Sequence, residues 1–274
     1  AVGREIIRTL LDRARSAGIR FLSQVVACRL AAAPPAGVGA LVYEARKGLW
    51  MGLAAKAVVL ATGGAGALYL RHDNPQRMTG DGYALAIQAG AKLKDMEFVQ
   101  FYFMAAAGPG RPAVLIMPGV ADQGRLVNDR GENLLDKYGI HDRPAASRAR
   151  DRLAQAIFQE AHVEGRQVYL DLTGADTEKL SGDHLNSSNW TYVDRIFQAR
   201  ERPVRVAPAA HFMMGGLFIT PDGSTGVPGL FAAGEVVGGL HGANRLGGNA
   251  LSECLVFGAR AGKAAASWAG ETRI

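Results

Sequence analysis

Between Pro228 and Gly258 the chain reads PGLFAAGEVVGGLHGANRLGGNALSECLVFG, with Glu235, His241 and Arg245 standing among closely spaced glycines. Glu235 follows an apolar, strand-like run and Gly234. From such a strand end a carboxylate can accept hydrogen bonds from the hydroxyls of a ribose or a ribityl chain. Arg245 and Asn249 lie in the glycine-rich loop that leads into a helix expected from about Leu251 to Ala266. Amides at a helix N-terminus stabilise a phosphate or an electron-rich ring carbonyl. Glycine lets backbone approach such a ligand closely, and packing alone gives little reason for so much of it here.

Two further runs have the same character. AKAVVLATGGAG, Ala55 to Gly66, is an apolar strand ending in Ala61, Thr62, Gly63 and Gly64. At the carboxyl edge of a sheet such an ending admits a flat or anionic ligand, although a tight strand-to-helix turn looks alike. Thr79-Gly80-Asp81-Gly82 opens a helix (DGYALAIQAG), where Asp81 either caps the first-turn amides or meets a ligand. His211 stands in HFMMGG, and one histidine near a strand is commonly a satisfied structural residue. Arg148, Arg150 and Arg152 in AASRARDRLAQAI form either a solvated helix start or a source of positive charge for a site. His72, His141, His162 and His184 are not spaced as metal ligands, and Met213 and Met214 read as packing.

The elements that must position these residues alternate between helix and strand. Ile6, Ile7, Leu10, Leu11 and Ala14 recur at helical spacing, and Gly18 ends that helix. IRFLSQVVACRL from Ile19 reads as a strand, with Cys28 a buried, inert thiol. GVGALVYEA and WMGLAAKAVVLAT follow around a Lys47-Gly48 turn as a small meander. The nearly all-apolar Ala57 to Ala61 suits a parallel strand buried on both faces. Residues 105–208 carry more Pro and charge, the polar Asn186 to Trp190 stretch and one clear helix around Arg152 to Glu164. They read as an inserted domain between 1–104 and 209–274. No strand with G-x-G-x-x-G, the usual opening of a dinucleotide-binding domain, precedes Arg4.

Composition bounds the function class. The chain has 274 residues, a formal charge of +6, and 35 glycines outside any repeat. Its basic residues are dispersed among 25 acidic ones and not interleaved with aromatics, which argues against nucleic acid. Cys28 and Cys254 are the only cysteines, too few for an iron–sulfur cluster on this chain. No apolar run approaches the ~18 residues of a membrane span, so a cytoplasmic setting is the default expectation.

In order along the chain, ATGG, TGDG, MEFVQF, H-F-M-M-G-G, and GLFAAGE with HGANRLGGNALSE resemble the flavoprotein subunits of succinate dehydrogenase and fumarate reductase. PAAH and ECLV are similar to L-aspartate oxidase. The resemblance implies an α/β fold, a partial FAD-binding Rossmann-like domain interrupted by an α+β capping domain, here without the family's N-terminal dinucleotide-binding segment. Weak FAD binding by this chain alone is then expected. Carried over by motif, Ala61, Thr62, Gly63, Gly64 and Asp81 would contact the adenosine side of FAD, and Glu235 its polyol chain. Ala250 and Leu251 would present backbone to the isoalloxazine, and Asn249 would also bind the cofactor. His211 and Arg245 would bind a substrate carboxylate, with Arg150 (in another register, Arg148) the catalytic arginine. An iron–sulfur or other electron-transfer subunit is the implied partner.

The chain also departs from the family. The family's His, Pro and Thr after F-x-Q-F are replaced by Tyr102, Phe103 and Met104. Its T-E-x-x-R-G-E-G-like proton relay is replaced by Met117 to Gly124. Tyr102 retains one hydrogen-bond donor for a substrate, but this side of the pocket is expected to be apolar. Ordinary fumarate or succinate turnover is therefore in question, and a flavin-binding or assembly protein that has lost catalysis is the alternative.

Overall fold

The computed structural model of the chain describes residues 2–32, 38–106, 113–184 and 186–272. The elements run α1 (Val2–Ser16), β1 (Val25–Ala32), β2 (Val38–Glu44), β3 (Leu49–Ala55), β4 (Val58–Leu60), α2 (Asp81–Gln88), β5 (Leu93–Lys94) and β6 (Val99–Ala106). There follow β7 (Val114–Leu115), α3 (Pro118–Ala121), β8 (Arg125–Asn128), α4 (Leu134–Lys137), α5 (Ala145–Arg148), α6 (Arg150–Phe158), β9 (Val168–Asp171), α7 (Thr177–Gly182) and α8 (Ser187–Phe197). The chain closes with β10 (Val204–Met213), β11 (Gly216–Leu217), β12 (Leu230–Ala232) and α9 (Asn249–Glu271). Two compact units result. One comprises Ala1–Ala65, Gly80–Phe98 and Met213–Ile274, and the other Gly66–Thr79 and Val99–Phe212.

In the first unit α1 stops at Gly18, whose left-handed φ of 73° lets its amide bond Arg15 O. The strand expected from Ile19 begins only at Val25. Ile19, Phe21 and Leu22 are exposed and Gln24 adopts a φ of 60°, so the chain turns before it extends. β1, β2 and β3 form the antiparallel meander, and Gly37, expected to open its middle strand, lies outside the described residues. Cys28 is exposed and not buried: it sits where the β1–β2 register slips between Ala27 and Arg29. Burial in the meander falls on Leu30, Val38 and Val42.

β4 does pair in parallel, with β12, but only one of its faces is covered. Leu60 is buried while Val59, pointing the other way, is 38% exposed. The cap position of α2 is Gly80, at φ 76°, so Asp81 is the first helical residue and not the cap. The last helix is longer than expected, 23 residues from Asn249.

The second unit is built on a five-stranded sheet in the order β7-β6-β10-β9-β8. Its core gathers Phe103, Met104, Ile116, Leu134, Leu153, Ile157 and Trp190. Among the described residues, the short helices α3 to α8 replace the single one expected. α6 begins at Arg150 and passes into a π-helical turn at Gln159–Val163. The polar run at Asn186–Trp190 opens α8, which buries Trp190 and Val193. Glu160, on the π turn, is fully buried. It meets Lys137 Nζ at 2.6 Å and accepts from Tyr138 Oη at 2.9 Å and Asn128 Nδ2 at 3.0 Å. Burial opposes its ionisation, but these three donors prevail and hold its carboxyl below the usual range.

Candidate functional site

In the first unit the parallel pairing sets two distant loops side by side, because β4 and β12 end together and Ala233 N donates to Leu60 O. Ala61–Gly64 continues one strand and Gly234-Glu235 the other. A Cβ at Gly64 would come within 2.5 Å of Glu235 Oε1, so a larger residue there would displace the carboxylate. The Glu235 carboxylate thus lies against the Gly64 backbone, and its Oε1 accepts from Met213 N at 3.0 Å. The start of α2 is tied to the same loop. Gly80 N donates to Gly64 O at 3.2 Å, and a Cβ at Gly82 would overlap the Thr62 side chain. Asp81 is thereby held at this edge.

Tyr83, in the first turn of α2, donates its buried phenol to Glu235 O at 3.2 Å and Gly215 O at 3.4 Å. Burial pushes its pKa well up, and Glu235 and Glu253 add to the effect. Tyr83→Phe is expected to cost about 1 kcal/mol in chemical denaturation, the usual net worth of such a bond. A cost near zero would show that water serves these carbonyls equally well.

Gly248, at φ 87°, is the cap residue of α9, and no acidic side chain occupies that helix's first turn. Asn249 N donates to Leu246 O at 3.3 Å, and the positive helix end beyond it, at Ala250 and Leu251, meets no acid of its own first turn and suits an electron-rich group. A Cβ at Gly242, Gly247 or Gly248 would meet nothing within 4 Å, so the loop borders open space. Behind it His241 Nε2 lies 2.7 Å from Glu253 Oε2. Burial raises the Glu253 carboxyl against the opposing pull of His241 and Arg245. Arg245 Nη1 donates to Leu246 O at 3.3 Å. A strand-end carboxylate, an open glycine loop and a helix start without an acid suit a polyol-linked ring with an electron-rich carbonyl, so these residues fit a flavin.

The second unit brings together a different set. On β10, His211 Nδ1 lies 2.7 Å from Asp73 Oδ2. Asn74 clamps the pair: its Nδ2 is within 3.1 Å of Asp73 Oδ1, 3.3 Å of Ala210 O and 3.2 Å of His211 O. The Tyr102 ring meets His211 edge-on, with centroids 5.5 Å apart. Tyr102 donates its hydroxyl to Ile116 O at 3.3 Å, so its one proton is already engaged within the protein. Burial pushes the Tyr102 pKa up to about 12; Arg150 pulls it down and Asp73 adds to the rise. Arg150, first residue of α6, is thus the arginine felt at Tyr102. Arg148 ends the separate helix α5.

The replaced stretches are filled inward. Phe103 and Met104 belong to the core, as do Val120 and Ala121 of α3. Asp122, the one acid of the replaced relay, caps α5 through Ala146 N at 2.7 Å and Ser147 Oγ at 2.9 Å. The same unit carries a concavity of about 660 Å³ walled by Tyr69, Leu70, Phe101 and Phe158. Among the described residues no group of three or more His, Cys, Asp or Glu comes together to hold a metal. No described helix is long and apolar enough to cross a membrane.

Sequence reasoning missed Asp73, Asn74, Tyr83 and Glu253. Asp73 and His211 are 138 positions apart, and no local pattern links them. Glu253 carried a weak signal, standing at helical spacing from Asn249 and Ala250.

Comparison with known proteins gives the same direction. A family model described as an FAD binding domain matches residues 1–251. The chain is 40% identical over 252 residues to the fumarate reductase flavoprotein subunit of Mycobacterium tuberculosis, covering 84% of this chain and 42% of that protein. It is 39% identical over 267 residues to an L-aspartate oxidase of Nostoc, covering 94% and 45% respectively. Among solved structures, Mycobacterium smegmatis Sdh1 in complex with UQ1 is 34% identical with a TM-score of 0.79, covering 97% of this chain and 46% of that one. The chain spans about half the length of the relatives it matches.

Proposed function

The chain belongs to the FAD-binding-domain family and is similar to a fumarate reductase flavoprotein and an L-aspartate oxidase, and on that premise we propose that it serves an FAD-dependent oxidoreductase acting on a small carboxylate. The bound flavin supplies the hydride donor or acceptor. The first unit is the cofactor-holding domain, Rossmann-like in character, and the second the capping domain. Glu235 holds the polyol chain, while Ala61, Thr62, Gly63, Gly64 and Asp81 meet the adenosine side. The first turn of α9, with Asn249, Ala250 and Leu251, faces the ring. His211 and Arg245 hold a substrate carboxylate, Tyr102 borders it, and Arg150 exchanges the proton. An iron–sulfur or other electron-transfer subunit is the proposed electron partner, and the cytoplasm, free or at a membrane complex, the proposed setting.

The observation that carries this reading is the Glu235 carboxylate lying over Gly64 at the joined ends of two parallel strands. The test is an absorbance spectrum of the purified protein before and after adding FAD, with bound flavin seen near ~370 and ~450 nm. A protein of its relatives' full length that retains no flavin and cannot be reconstituted would overturn the proposal, whereas weak binding by this chain alone is expected. A second reading, flavin binding without turnover, is favoured by the engaged Tyr102 hydroxyl and by the apolar residues at 103, 104 and 117. Bound flavin with no turnover across a panel of carboxylic acids would select it.

A further inference from the structure

The Asp73–His211 pair limits what His211 can do for an anion. A carboxylate 2.7 Å from Nδ1 accepts a hydrogen bond, so Nδ1 carries the proton. In the neutral ring the other nitrogen, Nε2, is then a bare acceptor and repels a carboxylate oxygen. Only when Nε2 is protonated too can His211 donate to an anion, and the ring is then an imidazolium.

Asp73 is built into place. Asn74 Nδ2 holds its second oxygen while also reaching the carbonyls of Ala210 and His211, and Asp73 N donates to Ala210 O at 3.2 Å. The segment before α2 and strand β10 are thus locked together around the imidazole. His211 and Asp73 are both partly buried, with side chains 28% and 16% exposed. Among the described residues, the charged or titratable groups facing the ring are Asp73 from the 66–79 segment, Tyr102 from β6 and, through Tyr102, Arg150 from α6; His72, beside Asp73, turns its own ring nitrogen to Asn74 O.

We propose that Asp73 is the positioning residue of His211, fixing the proton on Nδ1, and that His211 engages the substrate carboxylate only as an imidazolium, so that carboxylate binding takes up one proton from solvent. The balance is simple: one solvent proton goes to Nε2, no other bond changes, and the anion's charge is met by the new cation. This rests on the carboxylate-binding reading of His211 given above. It adds that the protein trades affinity against pH at this residue.

Two measurements on the purified protein separate the possibilities. In 15N-histidine NMR, with His211 assigned by loss of its signals in His211→Gln, the neutral ring is expected as the Nδ1–H tautomer. In Asp73→Asn that preference is expected to be lost. Malonate binding measured by calorimetry in two buffers of different ionisation enthalpy should show uptake of close to one proton where NMR finds the free ring neutral. Above that point affinity should fall about tenfold per pH unit, as one linked proton requires. Asp73→Asn should weaken malonate binding by about 10–100-fold, by analogy with the loss of a carboxylate behind a metal-bound histidine. Asp73→Glu should restore part of the affinity.

An Nε2–H tautomer in the unaltered protein would overturn the proposal. So would malonate binding without proton uptake, or with unchanged affinity and proton count in Asp73→Asn. The Nδ1–H tautomer with no malonate binding would instead overturn the carboxylate-binding role and the proton linkage with it, while upholding Asp73 as the residue that positions His211.

Discussion

Arg150→Ala is expected to leave flavin content unchanged and to lower turnover of a carboxylate substrate by about 10²–10⁴-fold, the usual worth of a positioned acid or base. The expectation follows from position. Arg150 is the first residue of α6, and its charge is felt at the half-buried Tyr102, whose ring meets His211. Removing it takes no core contact away, since its side chain is exposed. Stability should therefore hold while rate falls. Arg148→Ala, in the preceding helix, is the control, with turnover expected within about twofold of the parent, as for a surface change remote from the chemistry. Equal losses in the two variants would place the catalytic proton elsewhere.

Glu160→Ala is expected to destabilise the protein by about 2–4 kcal/mol, read from the shift of the urea midpoint. The substitution strips three donors of their acceptor in a site with no exposure at the carboxylate. Tyr138 loses its acceptor and Asn128 one of two, whereas Lys137, partly exposed, keeps Glu132 and can turn to water. The pH dependence has a definite sign. The folded-state carboxyl is held below its ordinary value, so its contribution is complete above the usual carboxylate range and is lost as pH falls through the folded value. The parent should lose stability on this acid limb more steeply than Glu160→Ala does. A midpoint shift worth less than about 1 kcal/mol would mean that water replaces the carboxylate.

What could be read from the amino acids alone was whatever repeats locally. Apolar Val58–Leu60 running into glycine, and glycine running into the α9 pattern, announced the strand ends and helix start proposed to hold the cofactor. The failures have equally local causes. Ile19 to Leu22 is apolar enough for a strand, yet it is exposed and turns at Gln24. Ser187 to Asn189 is polar enough for a loop, but Trp190 and Val193 bury one face of the helix it opens. Cys28 was misjudged because a register slip is invisible before strands are paired. The Asp73–Asn74–His211 cluster and the Glu160 network depend on contacts between residues far apart in sequence, and such contacts leave no periodicity. The family motifs supplied roles for Glu235 and His211; they did not supply Asp73.

The parallel register of β4 with β12 joins Val58 to Leu230, a separation of 172 positions. During synthesis the Gly64 loop must wait for Glu235, whereas every segment of the second unit has been made once Phe212 is reached. At about 5–20 residues per second, that interval is roughly 9–34 s. For all of it the apolar strand Val58–Leu60, which leads into Ala61–Gly64, is without its partner. The nascent protein therefore has the whole of its second unit synthesised before the strand ends at Gly64 and Glu235 can pair, so those ends exist only in chains whose second unit has already been made.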